Sequence, residues 1–391
     1  MLSTLLILLI GLATTRVLAK RLAQWAIPAI VVELLIGFGL GNSVLPFEAI
    51  QPLSGITELG VLTLFFQVGL EVRGDLLASR GWTIVRLVAL SFLSPLVAFW
   101  PLVIWFGMPP ATALLCLACL SATGTGVTLR LLSKRQALRS PSGRLLVGVS
   151  VLDDLPAIAL LSLAVAVGGS SALARGGLGW IGPLIGLTFA VISYRLAGWL
   201  VKHSGQRSTE PLAVLLLLIG SAWIGELTGL TSLLGALWGG VLLTRLSPPE
   251  DELNRVLVVL SEVFLPLYFI SVGMRVSAAS LLDSRSWSLA IVLVVMAIIS
   301  KLLCGLGVTR NDERVGIDRW LVVFGLIPRG LPGLVFATTA LSAGVINSEQ
   351  FSALVLMVTV TTVVGLLLLE KRLFQLAALP AEPREPSGYT E

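Results

Sequence analysis

The stretch Leu145–Val167, LLVGVSVLDDLPAIALLSLAVAV, carries no charge except at its middle, where Asp153 and Asp154 stand side by side. It has the length of a bilayer-spanning helix, about 20 residues. A charged side chain at the bilayer centre costs roughly 2.5–3.5 kcal/mol on insertion scales, and two like charges in contact cost more. Such a pair is retained only where a cation, a proton or a buried base offsets that cost. A base is available: Lys301 lies inside a second apolar run, Trp287–Val308. Two acids and a lysine in hydrocarbon read as a site for cations and protons.

Outward from that stretch the chain keeps the same character. Its 391 residues are 56% hydrophobic and 13% charged, against about 25% charged in soluble proteins. The expected class is an all-α polytopic membrane protein. A closed β-barrel would show alternation instead of continuous apolar runs. Thirteen spans are expected, near 2–19, 25–41, 57–71, 82–106, 111–132, 143–168, 179–201, 211–228, 231–246, 256–273, 286–308, 319–341 and 350–370. No basic segment precedes the first span, and Arg16, Lys20 and Arg21 follow it, so it is expected to be a permanent helix and not a cleaved signal.

Charge placement tests that count. Of the 27 Lys and Arg residues, alternation of sides puts 21 on one side and only Arg175, Arg275 and Arg285 on the other, with Arg86, Lys301 and Arg329 inside spans. The basic side is expected to be cytoplasmic. That places the N-terminus outside and the C-terminus in the cytoplasm of a cell-membrane protein. The same asymmetry explains the pI near 9.4, so no nucleic acid partner is expected. Cys116, Cys119 and Cys304 all fall in apolar spans, where small buried thiols are expected rather than a redox or metal pair. His203 reads as a solvated loop residue beside Lys202.

The chain also repeats itself at an offset of about 204. Phe65-Phe66-Gln67-Val68-Gly69-Leu70 returns as Phe269-Ile270-Ser271-Val272-Gly273-Met274, and Leu76-Leu77-Ala78-Ser79-Arg80-Gly81-Trp82 as Leu281-Leu282-Asp283-Ser284-Arg285-Ser286-Trp287. Spans one to six and eight to thirteen form the two units, with the seventh as a linker. An odd number of helices separates equivalent positions, so the units are expected to be inverted, the signature of secondary transporters.

The offset pairs two unusual spans. The fifth contains Thr123-Gly124-Thr125-Gly126, too glycine-rich to stay helical unaided, and the twelfth contains Pro328-Arg329-Gly330-Leu331-Pro332-Gly333, which should break a helix. Interrupted helices at corresponding places in two halves point to a midplane site. Freed carbonyls and helix ends would then lie near Asp154. Thr123 and Thr125 read either as ion ligands or as hydroxyls bonded to their own backbone. Glu33, Glu226 and Glu262 lie near span ends, where capping or snorkelling is expected.

These motifs resemble those of sodium/proton antiporters of the monovalent cation:proton antiporter-2 (CPA2) superfamily, in the thirteen-span bacterial type. The resemblance runs through Ile27-Pro28 to Gly37, Leu64 to Glu71, Ala122 to Arg130, Gly229 to Ala236, Phe264 to Met274, the aspartates and the lysine. It implies that Asp154 binds the transported ion and that Asp153 pairs with Lys301. It implies an elevator-like core of 74–168 and 276–372 moving against a scaffold and dimerisation domain of 1–73 and 207–275. Residues 169–206 are then a linker helix, and 373–391 a disordered cytoplasmic tail. Paired aspartates plus lysine mark the electrogenic branch, working in pH homeostasis as a homodimer. Gly124 stands where serine is usual, and Leu331 where the Pro-Arg-Gly-Glu pattern has glutamate. The partner of Arg329 is therefore open among Glu71, Glu262 and freed carbonyls, and Pro332 is expected to lengthen the break.

The expected function is exchange of Na+ (or Li+) for H+, with proton and cation competing at Asp154 and no cofactor. Alternatives are a K+/H+ antiporter or K+ efflux channel-like pathway, and a sodium-coupled organic anion symporter. Channel-type relatives usually add a nucleotide-binding domain after the last span, where only 373–391 follow here. No nucleophile triad, phosphate loop or metal-ligand cluster points to an enzyme. An inert interhelical pair of Asp153 and Lys301 would leave Asp154 unexplained.

Overall fold

The computed structural model describes residues 2–22, 27–71, 81–137, 140–168, 181–204, 210–228, 232–246 and 251–377. Among them every regular element is a helix. The first part of the chain gives α1 (Leu2–Leu22), α2 (Ala29–Ser43), α3 (Ser54–Glu71), α4 (Gly81–Leu93), α5 (Phe99–Phe106), α6 (Pro110–Ser121), α7 (Thr125–Lys134) and α8 (Pro141–Gly168). The second gives α9 (Ile181–Ser204), α10 (Pro211–Leu227), α11 (Ser232–Leu246), α12 (Asp251–Arg275), α13 (Ala278–Leu282), α14 (Ser284–Cys304), α15 (Arg310–Arg314), α16 (Arg319–Leu326), α17 (Gly330–Ser342) and α18 (Ser348–Ala377).

Apolar side chains face outward along these helices. Leu184, Leu187, Ile192 and Trp199 of α9, Trp100, Ile104 and Trp105 of α5, and Leu212, Leu216 and Trp223 of α10 are all exposed. Charged residues are buried instead: Asp153, Lys301 and Arg329 are at most 2% exposed. Hydrocarbon outside with paired charges inside is the distribution a bilayer imposes. Five stretches of the described residues are long and apolar enough to cross a membrane: Gly81–Phe106, Leu184–His203, Ser284–Gly307, Arg319–Ser342 and Ser348–Leu376. The protein is a multi-pass integral membrane protein.

Two sets of helices pack most closely. In one, α2 runs along α12, α3 along α11 and α12, and α10 along α11. Glycines set the separation. A Cβ on Gly37 would lie 2.1 Å from the Ile270 carbonyl oxygen, and one on Gly273 would lie 2.2 Å from that of Leu34. On the other pair of helices, a Cβ on Gly69 would lie 2.0 Å from the Leu237 oxygen and one on Gly240 would lie 2.1 Å from that of Phe66. Without a hydrophobic drive between helices in lipid, small residues gain contact by letting backbones approach. Gly69 and Gly273 are the repeat partners of the sequence, and each meets a glycine of a neighbouring helix. In the second set α6 and α4 pack on α8, α14, α16 and α17 pack on α18, and α17 packs on α6.

The fourth span stands as one helical stretch, Gly81–Phe106, that tightens to 3-10 turns at Ser94–Ala98 between α4 and α5, where Pro95 has no N–H to give. Two expectations are corrected here. Helix α18 runs to Ala377, into the segment expected as a tail. Leu373 is buried and Arg372 pairs with Asp318, which holds those turns in place. Residues 378–391 lie outside the described residues. Glu33 does not snorkel; it is buried within α2.

Candidate ion-transport site

Both interrupted spans are broken, and they meet at their breaks. Helix α6 ends at Ser121 and α7 begins at Thr125, so the gap is Ala122–Gly124. Helix α16 ends at Leu326 and α17 begins at Gly330. The Gly124 N–H donates to the Pro328 carbonyl. The approach needs glycine on both sides. A Cβ on Gly124 would lie 2.5 Å from the Gly330 nitrogen, and Gly330 has φ +47 with Gly124 Cα 2.9 Å from where its own Cβ would be. The serine usual at position 124 does not fit this crossing. Thr362 of α18 accepts from the Gly330 N–H at 3.1 Å, and Thr128 of α7 donates to the Gly325 carbonyl at 2.8 Å.

The breaks are shorter than the motifs. Thr125 and Gly126 are already in α7, and Gly330, Pro332 and Gly333 are in α17. Pro332 therefore does not lengthen the break. It sits in the first turn of α17, where N–H groups have no partner within the helix and proline removes nothing.

Beside the crossing lies α8, which carries both aspartates. Asp153 Oδ2 accepts from Ser91 Oγ at 2.9 Å and from Thr123 Oγ1 of the first break. Lys301 Nζ of α14 is 3.3 Å from the same oxygen. The ammonium also donates to Thr123 Oγ1 at 2.9 Å, to the Ser121 carbonyl at 3.0 Å and to Ser91 Oγ. Asp153 Oδ1 is buried and has no partner among the described residues. Two residues after Asp154, Pro156 lies within α8 and has no N–H for the Leu152 carbonyl one turn before it. The structure thus brings Asp153, Thr123 and Lys301 together. The side chains of Asp154 and Thr125 lie outside the described residues, although both backbones are helical.

Arg329 has a definite set of partners. Its guanidinium is fully buried and donates to the Ala122 carbonyl at 2.8 Å, the Ala297 carbonyl at 2.9 Å and Ser300 Oγ at 3.0 Å. A carbonyl freed at the opposite break, a carbonyl within α14 and a serine hydroxyl take the place of the absent glutamate. Leu331, at the position of that glutamate, packs against the apolar core. Glu262 is exposed on α12, and the side chain of Glu71 lies outside the described residues. Cys116, Cys119 and Cys304 are free and buried. Ser91, Ser121 and Ser300 were not legible as site residues. The one available signal was Ser94-Pro95 inside an apolar run, which marks an interruption one turn after Ser91.

The family described as "Sodium/hydrogen exchanger, transmembrane" matches residues 5–370 of this chain. The chain belongs to the sodium/hydrogen exchanger family. Among its relatives is the Na(+)/H(+)-K(+) antiporter GerN of Bacillus cereus, 24% identical over 366 residues, covering 89% of either chain. The high-affinity Na(+)/H(+) antiporter NhaS3 of Synechocystis is 27% identical over 366 residues, covering 86% of this chain and 76% of the relative. Among solved structures, the sodium proton antiporter MjNhaP1 of Methanocaldococcus jannaschii shares the fold, with TM-score 0.65, 17% identity and coverage of 96% of this chain and 97% of the other. As a family member with apolar outer faces, the chain is a membrane transport protein.

Proposed function

We propose that this exchanger moves Na+ (or Li+) against H+ across the membrane, with cation and proton competing for Asp154. The observation that carries the reading is the buried Asp153–Lys301 pair beside the crossing of two broken helices, with Asp154 next to it on α8. A fixed ammonium neutralises Asp153, and we assign the exchangeable cation or proton to the neighbouring carboxylate. Thr123, Thr125, Asp153 Oδ1 and the Leu152 carbonyl are the oxygens we assign as further ligands. Na+ is a hard cation suited to such carboxylate, hydroxyl and carbonyl donors. The relatives GerN and NhaS3, both Na(+)/H(+) antiporters, support the same exchange, and GerN adds K+ as a second candidate cargo.

The assignment extends to the whole cycle. Two protons exchanged for one sodium ion would move one net charge, worth about 2.3 kcal/mol per 100 mV. The core, 74–168 and 276–372, is assigned the elevator movement against the scaffold, 1–73 and 207–275, with 169–206 linking them. The tighter packing of α2, α3, α10, α11 and α12 with one another, and of α6 with α8 and α14 with α18, supports that division. Thirteen spans in two inverted units, an outside N-terminus in the cell membrane and a homodimer complete the reading. Vesicles with an imposed pH gradient test it: wild type should exchange Na+ for H+, and Asp154→Asn should abolish exchange for Na+, Li+ and K+ alike. Exchange persisting in Asp154→Asn would remove that residue from its role.

A further inference from the structure

We propose that Ser91 is a positioning residue of the transport site: its hydroxyl pins one oxygen of Asp153 and so keeps the other free for the cargo cation. The inference rests on the exchange reading above. Both hydroxyl donors to the Asp153 carboxylate, Ser91 Oγ and Thr123 Oγ1, converge on Oδ2, and Lys301 Nζ lies against the same oxygen, while Oδ1 is buried and has no partner among the described residues. The terminal torsion of an aspartate is broad, so the donors decide which oxygen is engaged. A hydroxyl has one hydrogen. Ser91 gives it to Asp153, so toward Lys301 it can only accept. The three ammonium hydrogens are met by Ser91, Thr123 and the Ser121 carbonyl, and the direct contact to Asp153 is the longest of the four.

Ser91 differs from Thr123 in where it stands. Thr123 lies in the gap between α6 and α7, whereas Ser91 lies in regular helix at the end of α4 and is fully buried. Three residues on, Ser94 Oγ donates to the Ser300 carbonyl at 2.9 Å, next to Lys301. Helix α4 and the 3-10 stretch that follows it thus grip α14 through Ser91 and Ser94, one on the ammonium and one on the backbone beside it. Removing the Ser91 hydroxyl takes a donor from Oδ2 and an acceptor from Lys301. The carboxylate can then turn, and the ammonium, short of one acceptor, competes with the cation for Oδ1.

Proteoliposomes with a pH gradient give KM and Vmax for Na+, and Na+-dependent thermal stabilisation of the detergent-solubilised protein gives an independent binding midpoint. Ser91→Ala should raise both KM and that midpoint roughly tenfold, with Vmax within about twofold of wild type. Ser91→Thr, which keeps the hydroxyl, should return both to wild type. An unchanged KM in Ser91→Ala, or an equal rise in Ser91→Thr, would overturn the proposal in favour of a packing role. Ser91→Cys, with a weaker donor, carries the same test if Ser91→Ala does not reach the membrane. A wild-type protein without Na+ exchange would instead overturn the exchange reading itself.

Discussion

Lys301 has three ammonium hydrogens and four oxygen neighbours, and every one of those neighbours comes from another element: α4, α6, the first break or α8. That arrangement makes the residue a fixed charge and not a snorkelling one. Lys301→Gln keeps much of the length and removes the charge, leaving Asp153 buried with hydroxyl donors alone. Under the proposed cycle the charge moved per Na+, read as current on a supported membrane, should fall well below wild type; an unchanged current would contradict the role given to the pair. Asp153, Lys301 and Arg329 were legible as site residues because a charge in an apolar run has few reasons to be there. Ser91 and Ser300 were not, because a serine in a transmembrane helix ordinarily satisfies itself on its own backbone. Only the tertiary contact shows that Ser91 bonds across helices.

The two breaks behave as one element. Their backbones touch at Gly124 and Gly330, with a hydrogen bond from the Gly124 N–H to the Pro328 carbonyl and a second link from Arg329 to the Ala122 carbonyl. Gly330→Ala forces a Cβ to within 2.9 Å of Gly124 Cα at φ +47. Left-handed backbone alone costs an L-residue roughly 1–2 kcal/mol, and the contact adds to it. The thermal midpoint in detergent should drop by several degrees, whereas Gly39→Ala, on an open face of α2 with nothing within 4 Å, should leave it unchanged or raised. Glycine and proline content revealed the interruptions in the sequence. Their lengths were misjudged because Pro332, Thr125 and Gly126 are as acceptable in a first helical turn as in a break.

Across the whole molecule, the connector between α14 and α16 ties the second half of the chain to the first. Asp312, in the capping box that opens α15, accepts from the Thr309 N–H and hydroxyl, from Thr83 Oγ1 at 2.9 Å and from Arg86 at 3.1 Å, the last two on α4. Burial pushes the Asp312 carboxyl up, but the bonds from Thr309, Thr83 and Arg86 together outweigh it and hold the group below its ordinary value. A depressed carboxylate contributes stability that is present above its unfolded pKa of about 4 and lost as pH falls through the lower folded value. Asp312→Asn should therefore destabilise the protein by about 1–2 kcal/mol at neutral pH. The gap to wild type should narrow as the pH is taken below the ordinary carboxylate value of about 4 in a pH series of thermal melts; a gap independent of pH would count against the charge.

The sequence by itself determined the class: a chain of apolar helices with a repeat, two matched interruptions and a few charges that hydrocarbon would otherwise exclude. Those properties follow from composition and local backbone chemistry, which need no knowledge of neighbours. Tertiary structure alone decided which oxygens surround Lys301, that carbonyls and Ser300 replace a glutamate around Arg329, and that position 124 must be glycine. Each of these depends on how closely two segments approach, a distance of a few ångströms set by packing between residues far apart in the chain.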